Sequence, residues 1–160
     1  MSNKEHVNKV RIEITDGEEE IVIKCKEITP EIMKLKEKLE TNDLMQNHKM
    51  MLKLGEDEHI VDISNILFFE SESNDVLAHT SARIYRTNLK LYELEGLLPN
   101  SFMRISKATI VNLNRISWYN RELTGNGKAG FANSDKQVYV SRMYFKQFTE
   151  NLKEMRGVIK

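Results

Sequence analysis

Polar and apolar positions alternate along most of this chain, and recur at helical spacing in only three stretches. Val10, Ile12 and Ile14 are separated by Arg11 and Glu13, the two-residue period of a half-buried strand. Asp16-Gly17 can turn the chain, and Ile21–Cys25 is expected to return as the second strand of a hairpin. Thr29-Pro30 then marks a helix start, with a hydroxyl to cap it and a proline suited to its first position. Ile28 is placed to staple onto Met33, and Ile32, Leu35 and Leu39 form one stripe. Such a hairpin and helix are too small to fold well alone, so they are expected to dock on a neighbour or a second copy. Residues 41–48, TNDLMQNH, read as a linker.

Beyond the linker the two-residue period dominates. Met50, Leu52 and Leu54 alternate, Gly55–Glu58 turns, and His59–Ile63 reads as the next strand. Ile66–Ser71 is apolar enough for a central strand, Glu72–Asp75 is a polar loop, and a further strand is expected from Val76 to Tyr85. Thr87 can cap a helix striped by Leu91, Leu94 and Leu98 and stopped by Pro99. From Ser101 to Ser117, β-branched and apolar residues are interrupted by Ser106-Lys107-Ala108, a short loop carrying a cation between strands. Arg115–Leu123 is a strand, Gly125-Asn126-Gly127 a hairpin turn, and Ala129–Ala132 and Gln137–Val140 are strands around the turn 133–136. Ser141 can cap a last helix with Tyr144, Phe145, Phe148, Leu152 and Met155 on one side. The pattern predicts a mainly β, α+β fold with a few helices. It divides into an N-terminal hairpin, helix and linker over 1–48 and a main domain over 49–160.

Charge changes the picture more than composition does. The 160-residue chain has a formal net charge of zero, but residues 1–70 carry 16 acids and 10 bases, whereas residues 71–160 carry 8 acids and 14 bases. Between Ser101 and Thr149 there are 8 bases against 2 acids, Glu122 and Asp135. The C-terminal half is therefore the candidate polyanion binder. Cys25 has no partner cysteine, and the start MSNKEHVNKV lacks the apolar core of a signal peptide. With no apolar run long enough for a membrane span, a cytoplasmic protein is expected.

Catalytic chemistry finds little support. His6, His48, His59 and His79 are scattered, without a helical pair or a cysteine pair to hold a metal. Ser73 and His79 lie on one strand-loop segment that does not by itself bring a nucleophile to a base. The Gly125-Asn126-Gly127 turn lies between strands and opens no helix, so it is no phosphate loop, and Glu18-Glu19-Glu20 reads as a solvated hairpin tip. No enzyme activity, cofactor or metal is expected.

Four ordered blocks carry a family resemblance. They are Ile66-Leu67-Phe68-Phe69-Glu70-Ser71; Asn88–Leu94 leading to Leu98-Pro99; Phe102-x-Arg104-x-Ser106-Lys107-x-x-Ile110-Val111-Asn112; and Val140-Ser141-Arg142 entering a helix. From about Met50 to Glu150 the chain resembles the LytTR-type DNA-binding domain of bacterial transcription regulators. The resemblance implies an elongated stack of small antiparallel sheets that binds double-stranded DNA with loops. It assigns contacts to Ser73 and Asn74, to Ser106 and Lys107, and to Arg142 with its neighbour Met143. Many members carry histidine at Ser106, arginine or asparagine at Lys107, and a second basic residue at Met143, so the sequence read here is expected to differ.

The residues themselves allow two roles for several of these positions. Arg104 can reach DNA or support the fold from its strand, and Ser141 with Arg142 can anchor a phosphate at a helix start or form a surface ion pair. Asn74 can pair with adenine or simply form a turn. Arg83, Arg86, Arg115, Arg121 and Lys128 are candidates for backbone contacts or solvated charges. With only about 49 residues ahead of the domain, the resemblance implies a free-standing regulator without a receiver domain. It would act as a homodimer and be controlled through self-association or a small membrane protein partner. The runner-up reading is a β-domain interaction module that holds such a membrane-associated regulator.

Overall fold

Thr29 and Pro30 start the first helix as their chemistry dictates. In the computed structural model, which describes residues 21–40 and 48–158, α1 spans Pro30–Glu40. The Ile32 N–H donates to Thr29 Oγ1 at 3.3 Å and the Met33 N–H to the Thr29 carbonyl at 3.0 Å. The expected staple does not close, since Ile28 and Met33 are 75% and 51% exposed. Ile32 and Leu39 are half-buried while Leu35 is exposed. The strand expected at Ile21–Cys25 is not formed, and residues 21–29 carry no helix or strand. A strand needs a paired neighbour, and the one expected over Val10–Ile14 lies outside the described residues.

Ten strands follow, all paired antiparallel. They are β1 Lys49–Leu54, β2 Asp57–Asp62, β3 Ile66–Glu72, β4 Asp75–Thr80, β5 Ile84–Thr87, β6 Phe102–Ser106, β7 Thr109–Asn112, β8 Ile116–Arg121, β9 Gly127–Phe131 and β10 Gln137–Val140. Helix α2, Leu91–Leu97, lies between β5 and β6, and α3, Arg142–Arg156, follows β10. A seven-stranded sheet runs β2-β1-β5-β4-β3-β7-β6, and a three-stranded sheet runs β10-β9-β8. The β1–β2 hairpin joins β5 only through Lys53 opposite Arg86, so the larger sheet is itself two smaller ones meeting at a narrow seam. This mainly β, α+β architecture agrees with the fold expected from the sequence.

The two faces of the larger sheet bury different cores. On one, Leu91 and Leu94 of α2 pack with Leu52, Phe69, Val76 and Ile110. On the other, Leu67, Phe68 and Val111 meet Phe131 and Val140 of the smaller sheet and Phe145, Phe148 and Leu152 of α3. Strand pleating makes this possible, because neighbours such as Ile110 and Val111 face opposite cores. Asn112 fixes the register at this buried centre, donating from Nδ2 to the Ile66 carbonyl at 2.9 Å and accepting from the Asn114 N–H at 3.1 Å.

Local expectations are corrected at three further places. The single strand expected from Val76 to Tyr85 is a hairpin, β4 and β5, because Thr80 Oγ1 accepts from the Arg83 N–H at 3.0 Å and folds Ser81-Ala82 into a turn. Thr87 does not cap α2; its hydroxyl accepts from the Leu89 N–H at 3.2 Å, and the helix begins after Lys90. Ser141 stands at the start of α3 but its hydroxyl makes no cap bond. Among the described residues no helix is long and apolar enough to cross a membrane.

Candidate nucleic-acid interface

Three turns of different origin converge on one end of the larger sheet. The first joins β3 to β4 in two residues, Ser73 and Asn74, between the paired Glu72 and Asp75. Ser73 takes φ +56, a left-handed conformation unusual for a residue with a side chain, and both turn residues are exposed. The second joins β6 to β7 through Lys107 and Ala108. It lies next to the first because β3 pairs with β7 and the Ser71 N–H donates to the Ala108 carbonyl at 2.8 Å. The third is the start of α3, brought to β6 by a 2.8 Å bond from the Ser141 N–H to the Ile105 carbonyl. Ser73, Asn74, Ser106, Lys107, Ser141 and Arg142 thus share one edge of the molecule.

Arg104 is the exception among the sequence candidates. Its Nε donates to the Ser106 carbonyl at 2.9 Å, one terminal nitrogen to the Lys107 carbonyl at 2.7 Å, and the other to Glu95 of α2 at 3.1 Å. The planar fork is thereby occupied in shaping the loop, a use for which guanidinium geometry is well suited. Ser106 contributes from inside, its hydroxyl accepting from the Ala108 N–H at 3.2 Å. What remains outward on this loop is the exposed Lys107 ammonium.

Two further residues belong to this edge. Lys90, at the entrance to α2, donates from Nζ to the Asn74 carbonyl at 3.1 Å, while the Glu93 carboxylate accepts from its backbone N–H at 2.7 Å. Asn126, in the β8–β9 turn, accepts the Arg142 N–H on Oδ1 at 2.9 Å. Both contacts span 16 residues, so nothing in the local spacing points to them.

Other cations are engaged locally. Arg86 lies 3.9 Å from Asp75, and Arg121 sits 5.3 Å above the Phe145 ring. Lys128 lies 3.2 Å from Glu122, whose accepting carboxylate holds the ammonium pKa above its ordinary value. The exposed Glu72 and Asp75 flank the Ser73-Asn74 turn, so the edge carries both signs. A carboxylate there can accept from a cytosine amino group while it repels phosphate.

A family model described as the LytTr DNA-binding domain matches residues 57–153. The chain is 34% identical over 111 residues to an uncharacterized HTH-type transcriptional regulator of Staphylococcus aureus strain NCTC 8325, an alignment covering 69% of this chain and 75% of that protein. The corresponding protein of strain COL shows the same 34% identity over the same shares. A solved LytTr DNA-binding domain from Bacillus cereus superimposes with a TM-score of 0.61 and 25% identity, covering 65% of this chain and 95% of that one. In this chain five strands separate α2 from α3, so no helix-turn-helix unit occurs among the described residues.

Proposed function

The chain belongs to the LytTR family of DNA-binding transcriptional regulators, and from that premise we propose that it reads specific sequences in double-stranded DNA through the three-turn edge. The observation that carries this reading is the convergence of Ser73-Asn74, Ser106-Lys107 and Ser141-Arg142 on one end of the larger sheet. Lys107 and Arg142 supply cations for phosphates or for guanine acceptors, and Ser73, Asn74, Ser106 and Ser141 supply short polar groups for base edges and backbone. Lys90 adds a phosphate contact. Arg104 acts through the loop that it holds and does not itself meet the DNA.

The proposed regulator is a cytoplasmic homodimer. Residues 1–48 form its self-association segment and residues 49–160 its DNA-binding domain. Supporting this, Ile21, Val22, Ile28, Met33 and Leu35 leave apolar surface exposed in the segment around α1. Two copies would place two edges on two half-sites.

A gel-shift with the full chain and the DNA upstream of its own gene, competed by unrelated DNA, tests the reading. Retardation that resists the competitor is expected. A folded sample that retards neither DNA, or both equally, contradicts it.

A further inference from the structure

The Gly125-Asn126-Gly127 turn does more than reverse the chain between β8 and β9. A hairpin turn requires only that Gly125 take its φ of +88. Gly127 needs no such φ, yet a Cβ there would collide with the Phe145 ring and lie 2.7 Å from the Asn120 carbonyl. A Cβ on Gly125 would lie 2.6 Å from Cδ and 2.9 Å from Cγ of Arg142. Between them, Asn126 Oδ1 accepts the Arg142 N–H at 2.9 Å, so one donor of the first turn is satisfied from the β8–β9 turn while the Ser141 hydroxyl makes no cap bond. The three residues of the turn therefore meet the stem of Arg142, its N–H and the ring of Phe145.

The turn is itself fixed. The Glu122 N–H donates to the Asn126 carbonyl at 2.8 Å, the Gly125 N–H donates to the Glu122 carbonyl at 3.0 Å, and Lys128 holds Glu122 at 3.2 Å. We infer that this turn is a cradle that sets the direction of the Arg142 side chain, with Asn126 and Gly125 as positioning residues for sequence discrimination. The inference rests on the reading that Arg142 meets DNA. A bidentate arginine tolerates little misplacement, so a cap and a bare backbone beneath its stem select among rotamers before DNA arrives.

A double-mutant cycle tests this, with the full chain titrated against its upstream DNA and against a scrambled fragment of equal length. The quantity read is the ratio of the two affinities. Arg142→Ala and Asn126→Ala are each expected to lower that ratio by about 5- to 150-fold, the worth of one good base contact. The double variant is expected to be no worse than the weaker single within about twofold, because both remove the same contact. Gly125→Ala keeps the Asn126 side chain, crowds the Arg142 stem and also strains a turn whose φ of +88 suits glycine. It is expected to behave alike, and it decides the matter if Asn126→Ala does not melt cooperatively. An Asn126→Ala protein with its preference intact, or single effects that multiply in the double variant, overturns the cradle. A wild-type chain with no preference for the upstream fragment overturns the DNA reading instead.

Discussion

The two ends of the β3–β4 hairpin solve the same problem, how to hold a polar side chain still, in different ways. At the interface end, charged and amide side chains donate to or accept from the backbone of exposed turns. Arg104 does so for the Lys107 loop and Asn126 for the start of α3. At the far end, His79 is buried, stacked on Phe68 with ring centroids 4.1 Å apart. Phe68 in turn stacks on Phe131 at 5.7 Å, and Lys136 donates to the Thr80 carbonyl at 2.8 Å to tie the two sheets together. The His79 nitrogens have no hydrogen-bond partner, with Glu70 standing off at 3.6 Å from Nε2. One end invests its polar groups in presentation, and the other holds its histidine by apolar stacking. Stability at acid pH should therefore be decided far from the three-turn edge.

The largest expected effect lies at the far end. Burial, and then the charge of Lys136, lower the His79 pKa from 6.5 to about 4. Between these values the unfolded chain binds a proton that the folded chain refuses. The contribution is complete above pH 6.5, falls as the pH falls, and is lost below about 4. It amounts to roughly 3 kcal/mol across that window. Urea unfolding from pH 7 to 4 should show this slope, and His79→Phe, which keeps the stack, should flatten it. An unchanged slope in the variant would place the titrating group elsewhere.

The next effect lies at the interface end. Arg104→Ala strands two loop carbonyls and Glu95, so a stability loss of about 1–3 kcal/mol is expected together with a loss of DNA preference. Arg104→Lys should rescue neither, because one ammonium cannot reproduce the planar fork. Rescue by lysine, measured by unfolding and anisotropy, would reduce Arg104 to a point charge. Smaller still, Ser73→Gly should leave stability unchanged or raise it by about 1 kcal/mol, since glycine occupies φ +56 without strain. A clear loss of stability would mean that the Ser73 side chain supports the turn.

This contrast also marks what is legible in the sequence. Strand alternation locates the sheets and places Gln137–Val140 at its observed bounds, because a two-residue period is local. Thr29-Pro30 likewise announces α1. The loop Ser106-Lys107 stands out as a polar break between β-branched residues, but the use of Arg104 depends on the carbonyls of a bulged strand end that spacing does not display. The hairpin at Ser81-Ala82 lacks glycine and reads as strand, since its turn is made by the Thr80 hydroxyl. Lys90 and Asn126 are illegible because each acts on a segment 16 residues away. Turns announced by glycine or proline can be read locally, whereas caps lent by another strand require the fold.

The exposed cations Lys107 and Arg142 are proposed to bind DNA, with Arg104 and Asn126 behind them holding the loops that present them. A titration of fluorescent upstream DNA over a range of salt, with wild type and with the Lys107→Ala/Arg142→Ala double variant, separates the two roles. The expected result is a drop in affinity of at least about tenfold and a shallower dependence on salt, by about one unit of slope for each phosphate left without its cation, with unfolding stability within about 0.5 kcal/mol of wild type. A double variant that binds as tightly as wild type with the same slope contradicts the claim.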